Sequence, residues 1–118
     1  METNFHNLKV WQKWIDLVED IYKYTATFPN QEIYWITQQI RRSAISIPSN
    51  IAEWDQRSTK SDNIRFIYMA KWSAAELETQ LIISNKLWYL SKKDFDYLQG
   101  KVVEILKMIS SLIKFKKD

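Results

Sequence analysis

At 118 residues, with 46% hydrophobic and 26% charged content, the chain has the length for one domain with a real core, expected to span residues 1–118. It has no cysteine, which excludes disulfides, thiol catalysis and zinc–thiolate sites. No apolar run approaches the ~18–20 residues of a membrane span, and residues 1–6 lack the basic and apolar regions of a signal peptide, so a cytoplasmic protein with no membrane partner and a net charge of +3 is the expectation.

The first segment, about residues 8–28, sets Trp11, Ile15, Val18, Ile21 or Tyr22, Thr25 and Phe28 in one stripe at helical spacing. Phe28-Pro29-Asn30 ends it, and Asn30 is placed to cap the next helix. The second segment, about 31–53, repeats Ile33, Ile36, Ile40, Ala44, Ile47 and Ile51 at intervals of three or four. Its stripe runs through Pro48, which removes a backbone donor and predicts a kink. Ser46, Ser49 and Asn50 flank the proline and can supply or accept the displaced bonds.

Residues 55–60, Asp-Gln-Arg-Ser-Thr-Lys, form the one polar linker of any length. Ser61 then caps a third helix, about 62–90. Ser91-Lys92-Lys93-Asp94 resembles a capping box with Asp in place of the usual Glu. It opens a fourth helix, about 92–116, carrying Phe95, Leu98, Val102, Ile105, Ile109, Leu112 and Ile113. Helices of this length joined by short loops predict an all-α fold, an antiparallel up-down-up-down four-helix bundle with helix 2 kinked at Pro48. Tyr22, Tyr24, Tyr34, Tyr68 and Tyr89 widen the stripes beyond a two-helix seam. They are either amphipathic cover over a monomer's core or part of a subunit interface, where tyrosine and tryptophan are enriched.

The search for catalytic chemistry comes up nearly empty. His6 is the one histidine, close to a terminus of the kind that frays, and a lone histidine is far more often a surface residue than a base or ligand. Glu76 and Glu78 are two apart on a helix and point to different sides, so they form no carboxylate pair. Glu19 and Asp20 read as solvated. There is no glycine-rich phosphate loop and no cluster at metal-ligand spacing. The expectation is a protein that is not an enzyme, with no catalytic, cofactor-binding or metal-binding residues.

Charge is more informative. Residues 1–85 carry nine basic and ten acidic groups, whereas residues 86–118 carry eight lysines and four acidic groups. Lys107, Lys114, Lys116 and Lys117 gather toward the end of the fourth helix. Cations there complement the helix dipole; equally, they suit a nucleic-acid-facing patch that neutralises phosphates and releases counterions. Arg41 and Arg42 offer two guanidinium forks matched to phosphate geometry, or one of them pairs with Glu76 or Glu78 of helix 3. Adjacent helical residues diverge by about 100°, so one arginine can face inward while the other faces solvent.

Several blocks together carry a family resemblance. They are Leu8-Lys9-Val10-Trp11-Gln12, Ile21-Tyr22 with Thr25 and Phe28-Pro29, Gln39-Ile40-Arg41-Arg42-Ser43-Ala44, and Ser46-Ile47-Pro48-Ser49-Asn50-Ile51-Ala52-Glu53. Ala70-Lys71, Ser73, Ala75-Glu76-Leu77-Glu78-Thr79-Gln80-Leu81 and Tyr89-Leu90 follow. From about residue 5 onward the chain resembles the four-helix-bundle proteins of intervening sequences in bacterial 23S ribosomal RNA genes, and the Ser46 to Glu53 block is the most specific. Similarity to the accessory variability determinants of diversity-generating retroelements is more distant and mainly architectural. The family resemblance implies a ring-shaped homopentamer, in which a modest monomer charge is repeated five times into a substantial field. The leading functional expectation is an oligomer that binds RNA or DNA through Arg41, Arg42, Lys107, Lys114, Lys116 and Lys117. The alternative is a scaffold that docks a partner protein such as a reverse transcriptase.

The tryptophans depart from that family. Members usually carry glycine where this chain has Trp35, Trp54, Trp72 and Trp88, and a small residue where it has Trp14; Trp11 alone looks native. The chain has six tryptophans and one glycine, against a usual glycine share near ~7%. Trp54 and Trp88 are expected at helix ends, where a positive φ favours glycine. Trp72 is expected inside helix 3, where a genuine indole belongs in a helix–helix or subunit contact. Either UGA codons read as glycine in the source have been translated as tryptophan, or the bundle has adapted to real indoles.

Overall fold

The computed structural model describes residues 9–29, 34–56 and 60–117. Four helices occupy most of them: α1 (Lys9–Thr25), α2 (Tyr34–Gln56), α3 (Lys60–Lys86) and α4 (Lys92–Lys117). Among the described residues there is no strand. Each helix packs on its neighbours in the chain, and α1 closes the set against α4. Along that seam the two helices run in opposite senses. Asp20 of α1 meets Tyr97 and Lys101 of α4, while Lys13, further back in α1, meets Glu104, further on in α4. With extents of 44 × 22 × 22 Å, the molecule is an all-α four-helix bundle, consistent with an up-down-up-down course.

Three of the four termini whose sequence signals are visible behave as local chemistry dictates. The Ser91 hydroxyl accepts a hydrogen bond from the Asp94 N–H at 3.1 Å, and its carbonyl accepts the first helical bond, from Phe95, at 2.8 Å. Ser91 is therefore the N-cap of α4. Helix α1 ends at Thr25, three residues before the expected 28: Phe28 precedes Pro29, which disfavours the helical region, and the Phe28 N–H closes a turn onto the Thr25 carbonyl at 3.1 Å. Helix α3 ends at Lys86, not near 90. Its end is a Schellman motif, with the Tyr89 N–H on the Ser84 carbonyl at 2.9 Å and the Trp88 N–H on Asn85 at 3.1 Å. The left-handed position of that motif is Trp88, at φ 69. Helix α3 begins at Lys60, so Ser61 lies inside its first turn and is not the cap expected there; the expected cap at Asn30, the isoleucine at Ile33, the Tyr34 side chain and His6 lie outside what is described.

Helix α2 buries the expected Ile36, Ile40, Ala44, Ile47 and Ile51, and α4 buries Leu98, Val102, Ile105, Ile109 and Ile113 with Phe95 and Leu112 half-buried. Helix α1 corrects the sequence reading. Its core row is Val10, Trp14, Leu17 and Ile21, one position away from Trp11, Ile15 and Val18. Those three are half-buried or exposed. Two adjacent apolar rows about 100° apart cannot both point at the bundle axis, and packing turns the row with Trp14 and Leu17 inward. Trp14 is fully buried although its indole N–H has no acceptor among the described residues. That orphan donor costs roughly 1–3 kcal/mol, which the apolar area of the indole has to exceed.

Helix α2 also runs on to Gln56, past the expected end at 53, because Trp54 is buried in the core and extends the packed row by one turn. Trp54 therefore lies inside the last turn of α2, not just past its end. Among the described residues Trp88 is the one non-glycine with positive φ.

Candidate functional site

Arg41 is a strut between helices. Its Nε donates to the Thr25 hydroxyl at 3.0 Å and its Nη2 to the Tyr22 carbonyl at 3.4 Å, with the guanidinium 4.4 Å from the centre of the Tyr22 ring. Thr25 in turn donates to the Ile21 carbonyl at 2.7 Å. A cation on the last carbonyls of α1 satisfies acceptors the helix leaves open and complements its dipole. The expected pairing of Arg41 with Glu76 or Glu78 is thus replaced: Arg41 turns to α1, and Glu78 accepts from Gln99 Nε2 of α4 at 2.6 Å. Arg42, about 100° round the helix, is exposed, as is Glu76.

The Ser-Ile-Pro-Ser-Asn block is a structural node. Pro48 is buried and α2 is a single helix across it, consistent with the kinked course expected there. The Asn50 side chain donates to the Ser46 carbonyl at 2.8 Å and to its hydroxyl at 3.0 Å, and that hydroxyl bonds Ser73 of α3 at 2.8 Å. Asn50 and Ser46 therefore hold the backbone beside the proline, and Ser73 ties it to α3. Ser49 is exposed and has no part in this.

Two apolar surfaces remain uncovered. The displaced α1 row forms one wall of a groove of about 330 Å³, lined by Trp11, Ile15, Val18, Ile45, Pro48, Ser49 and Ala52. Sequence reasoning took that row for core; the signal for the groove was the second apolar row itself, at Val10, Trp14 and Leu17. On α3, Met69, Trp72 and Ile83 are exposed along one stripe, Trp72 by 61%. The Trp72 indole lies near the Tyr68 ring, with centroids 6.3 Å apart on the same helix. It makes no ring contact with another helix among the described residues, so the expectation of a helix–helix contact within the bundle is not met. Trp35 and Trp88 are exposed by 64% and 92%.

The basic candidates do not converge. Arg41 sits beside the end of α1, whereas Lys107 and Lys114 lie beyond Glu104, which itself faces Lys13 near the start of α1. The arginine pair and the lysine cluster therefore occupy opposite halves of the bundle. Lys107 and Lys114 are exposed; Lys116 and Lys117 continue α4, and their side chains lie outside what is described. A third basic group, unanticipated, is half-shielded: Lys101 lies 3.7 Å from Asp20 and 5.0 Å from the Tyr97 ring centre. Burial works to lower its pKa, but hydrogen bonding to Tyr97 and the charges of Tyr97, Asp20 and Asp16 outweigh it, so the ammonium is held above its ordinary value.

Among the described residues no three His, Asp or Glu side chains gather as a metal site, and no helix is long and apolar enough to cross a membrane. The model of the 23S rRNA-intervening sequence protein family matches residues 6–111. Among solved structures, the chain is similar to a crystal structure of a protein of unknown function from the S23 ribosomal protein family of Bacteroides thetaiotaomicron VPI-5482. The two are 27% identical with a TM-score of 0.81, over 89% of this chain and 98% of that one. No curated protein matches the chain.

Proposed function

Because the chain belongs to the 23S rRNA-intervening sequence protein family, we propose that it is a cytoplasmic, non-enzymatic homo-oligomer, a closed ring of five, that binds RNA or DNA through repeated basic surfaces. The observation that carries the assembly is the pair of uncovered apolar surfaces, the α1–α2 groove and the α3 stripe, on a bundle whose core is already filled. Contiguous exposed apolar surface marks interaction sites, and two different surfaces meeting head to tail close into a ring or propagate as a filament. The nucleic-acid surface is assigned to Lys107, Lys114, Lys116 and Lys117 of α4, where each ring would repeat the cluster in every subunit. Phosphate contacts of this kind give affinity without sequence preference.

Light scattering tests the assembly: a stable 14.2 kDa species at micromolar concentration overturns it. Fluorescence anisotropy with labelled single-stranded RNA and duplex DNA tests the ligand, and binding is expected to fall steeply between about 50 and about 200 mM salt, as counterion release dictates. Absence of salt-sensitive binding at low ionic strength refutes the nucleic-acid role. In that case the groove between α1 and α2 favours the second reading, a scaffold for a partner protein such as a reverse transcriptase.

A further inference from the structure

We propose that the subunits meet with the α3 stripe of one copy seated in the α1–α2 groove of the next, and with Arg42 paired to Glu76 across the contact. The inference rests on the oligomer proposed above and specifies its interface.

The heights of the charges along the bundle carry it. The 2.8 Å bond between Ser46 and Ser73 fixes α2 against α3 at one level. The two helices are joined by a connection of three residues, between Gln56 and Lys60, and run in opposite directions. Four residues back from Ser46 is Arg42, and three residues on from Ser73 is Glu76. At 1.5 Å per residue these steps are about 6 Å and about 4.5 Å in the same direction, so the two charges stand within about 1.5 Å of the same height. Toward the other end, Glu53 and Arg65 stand at a shared height by the same reckoning, about 10.5 and 12 Å from the serine pair.

Between these levels both helices present apolar side chains on their outer faces, with Ser49 as the exposed polar residue on α2. Ile45 borders the groove on α2, and Met69 and Trp72 are exposed on α3. Read down the bundle, the α2 face is basic, apolar, acidic, and the α3 face at the same levels is acidic, apolar, basic. A rotation axis parallel to the bundle keeps every copy at the same height. It therefore sets arginine against glutamate at both ends and Trp72 against the groove in the middle. Among the described residues neither Arg42 nor Glu76 has an ion-pair partner within its own chain. Electrostatic complementarity of this kind fixes register and suppresses other pairings. A two-fold dimer would instead lay groove on groove or stripe on stripe, pairing Arg42 with Glu53 or Arg65 with Glu76 and leaving the groove without an inserted side chain.

The contact gives Arg42 a role distinct from that of Arg41 and leaves the phosphate-facing surface to α4. It also gives Trp72 the subunit contact that its exposure within the single bundle denies it.

Charge reversal tests the pairing. Wild type, Arg42→Glu, Glu76→Arg and the double reversal are compared by light scattering and native mass spectrometry at one protein concentration and low salt, with circular dichroism as the fold check. Each single reversal is expected to weaken assembly at least tenfold, and the double reversal to restore it to within about threefold of wild type. If a reversal loses helicity, Arg42→Gln and Glu76→Gln, which introduce no repulsion, are each expected to weaken assembly severalfold with helicity retained. Assembled wild type with indifferent single variants, or with a double reversal that does not recover, overturns this interface and leaves the oligomer standing. A monomeric wild type overturns both.

Discussion

Trp88→Gly isolates the energetic consequence of one backbone conformation. Residue 88 is the left-handed position of the α3 C-terminal motif, at φ 69, and its indole is 92% exposed. An L side chain in that conformation costs roughly 1–2 kcal/mol, and an indole with so little contact returns almost nothing by burial. Glycine removes the strain but gives the unfolded chain extra freedom worth roughly 0.4–1 kcal/mol. The net expectation is a stabilisation of about 1 kcal/mol, read as a Tm increase of about 4 °C for a domain of this size. Thermal and urea unfolding followed by circular dichroism, at matched protein concentration because assembly shifts Tm, measure it. Trp88→Ala keeps the strained φ and is expected to stay within about 0.5 kcal/mol of wild type. Trp54→Gly should move the other way: it empties a buried aromatic site, at roughly 3–5 kcal/mol, inside a helix where glycine adds about 1 kcal/mol. A Trp88→Gly protein no more stable than wild type refutes the reasoning. The origin of the tryptophans is a separate measurement. UGG codons at positions 35, 54, 72 and 88 end the recoding account, and glycine masses in peptides of the native protein establish it.

Arg41→Ala removes two hydrogen bonds and a cation–ring contact at the end of α1 and should cost about 1–2 kcal/mol in urea unfolding, below the roughly 3–5 kcal/mol of a broken buried ion pair; a loss in that higher range means a buried carboxylate partner. Changing Lys114, Lys116 and Lys117 together to Gln should weaken nucleic-acid binding and flatten its salt slope by up to about 3 without changing helicity, and an unchanged slope removes α4 from the binding surface. For Lys101, a pKa raised in the folded state contributes stability that is fully present below the ordinary lysine pKa and is lost as pH rises through the raised value. Wild type and Lys101→Gln should therefore differ in Tm at pH 8 and converge in strongly alkaline buffer; a difference that persists there is not electrostatic.

The sequence alone determined the elements. A 3.6-residue apolar period marks α2 and α4 residue by residue, Ser91 announces the start of α4, and Phe28-Pro29 limits α1, because each of these signals acts through neighbours within one or two turns. The Ser46 to Glu53 block carried the family for a related reason: proline inside a helix is rare, and Asn50 and Ser46 brace the backbone beside it. What remained for tertiary structure was every choice between locally equivalent alternatives. Helix α1 offers two apolar rows, and only packing against α2 and α4 selects the one with Trp14 and Leu17, turning the other into a groove. Two adjacent arginines look alike in sequence, yet a rotation of about 100° sends Arg41 to the carbonyls of α1 and Arg42 to solvent. Trp54 and Trp88 carry the same side chain near two helix ends. One is swallowed by the core because it continues the inward row of Ile47 and Ile51, and the other is held outside at positive φ because the turn into α4 requires that backbone whatever residue occupies it.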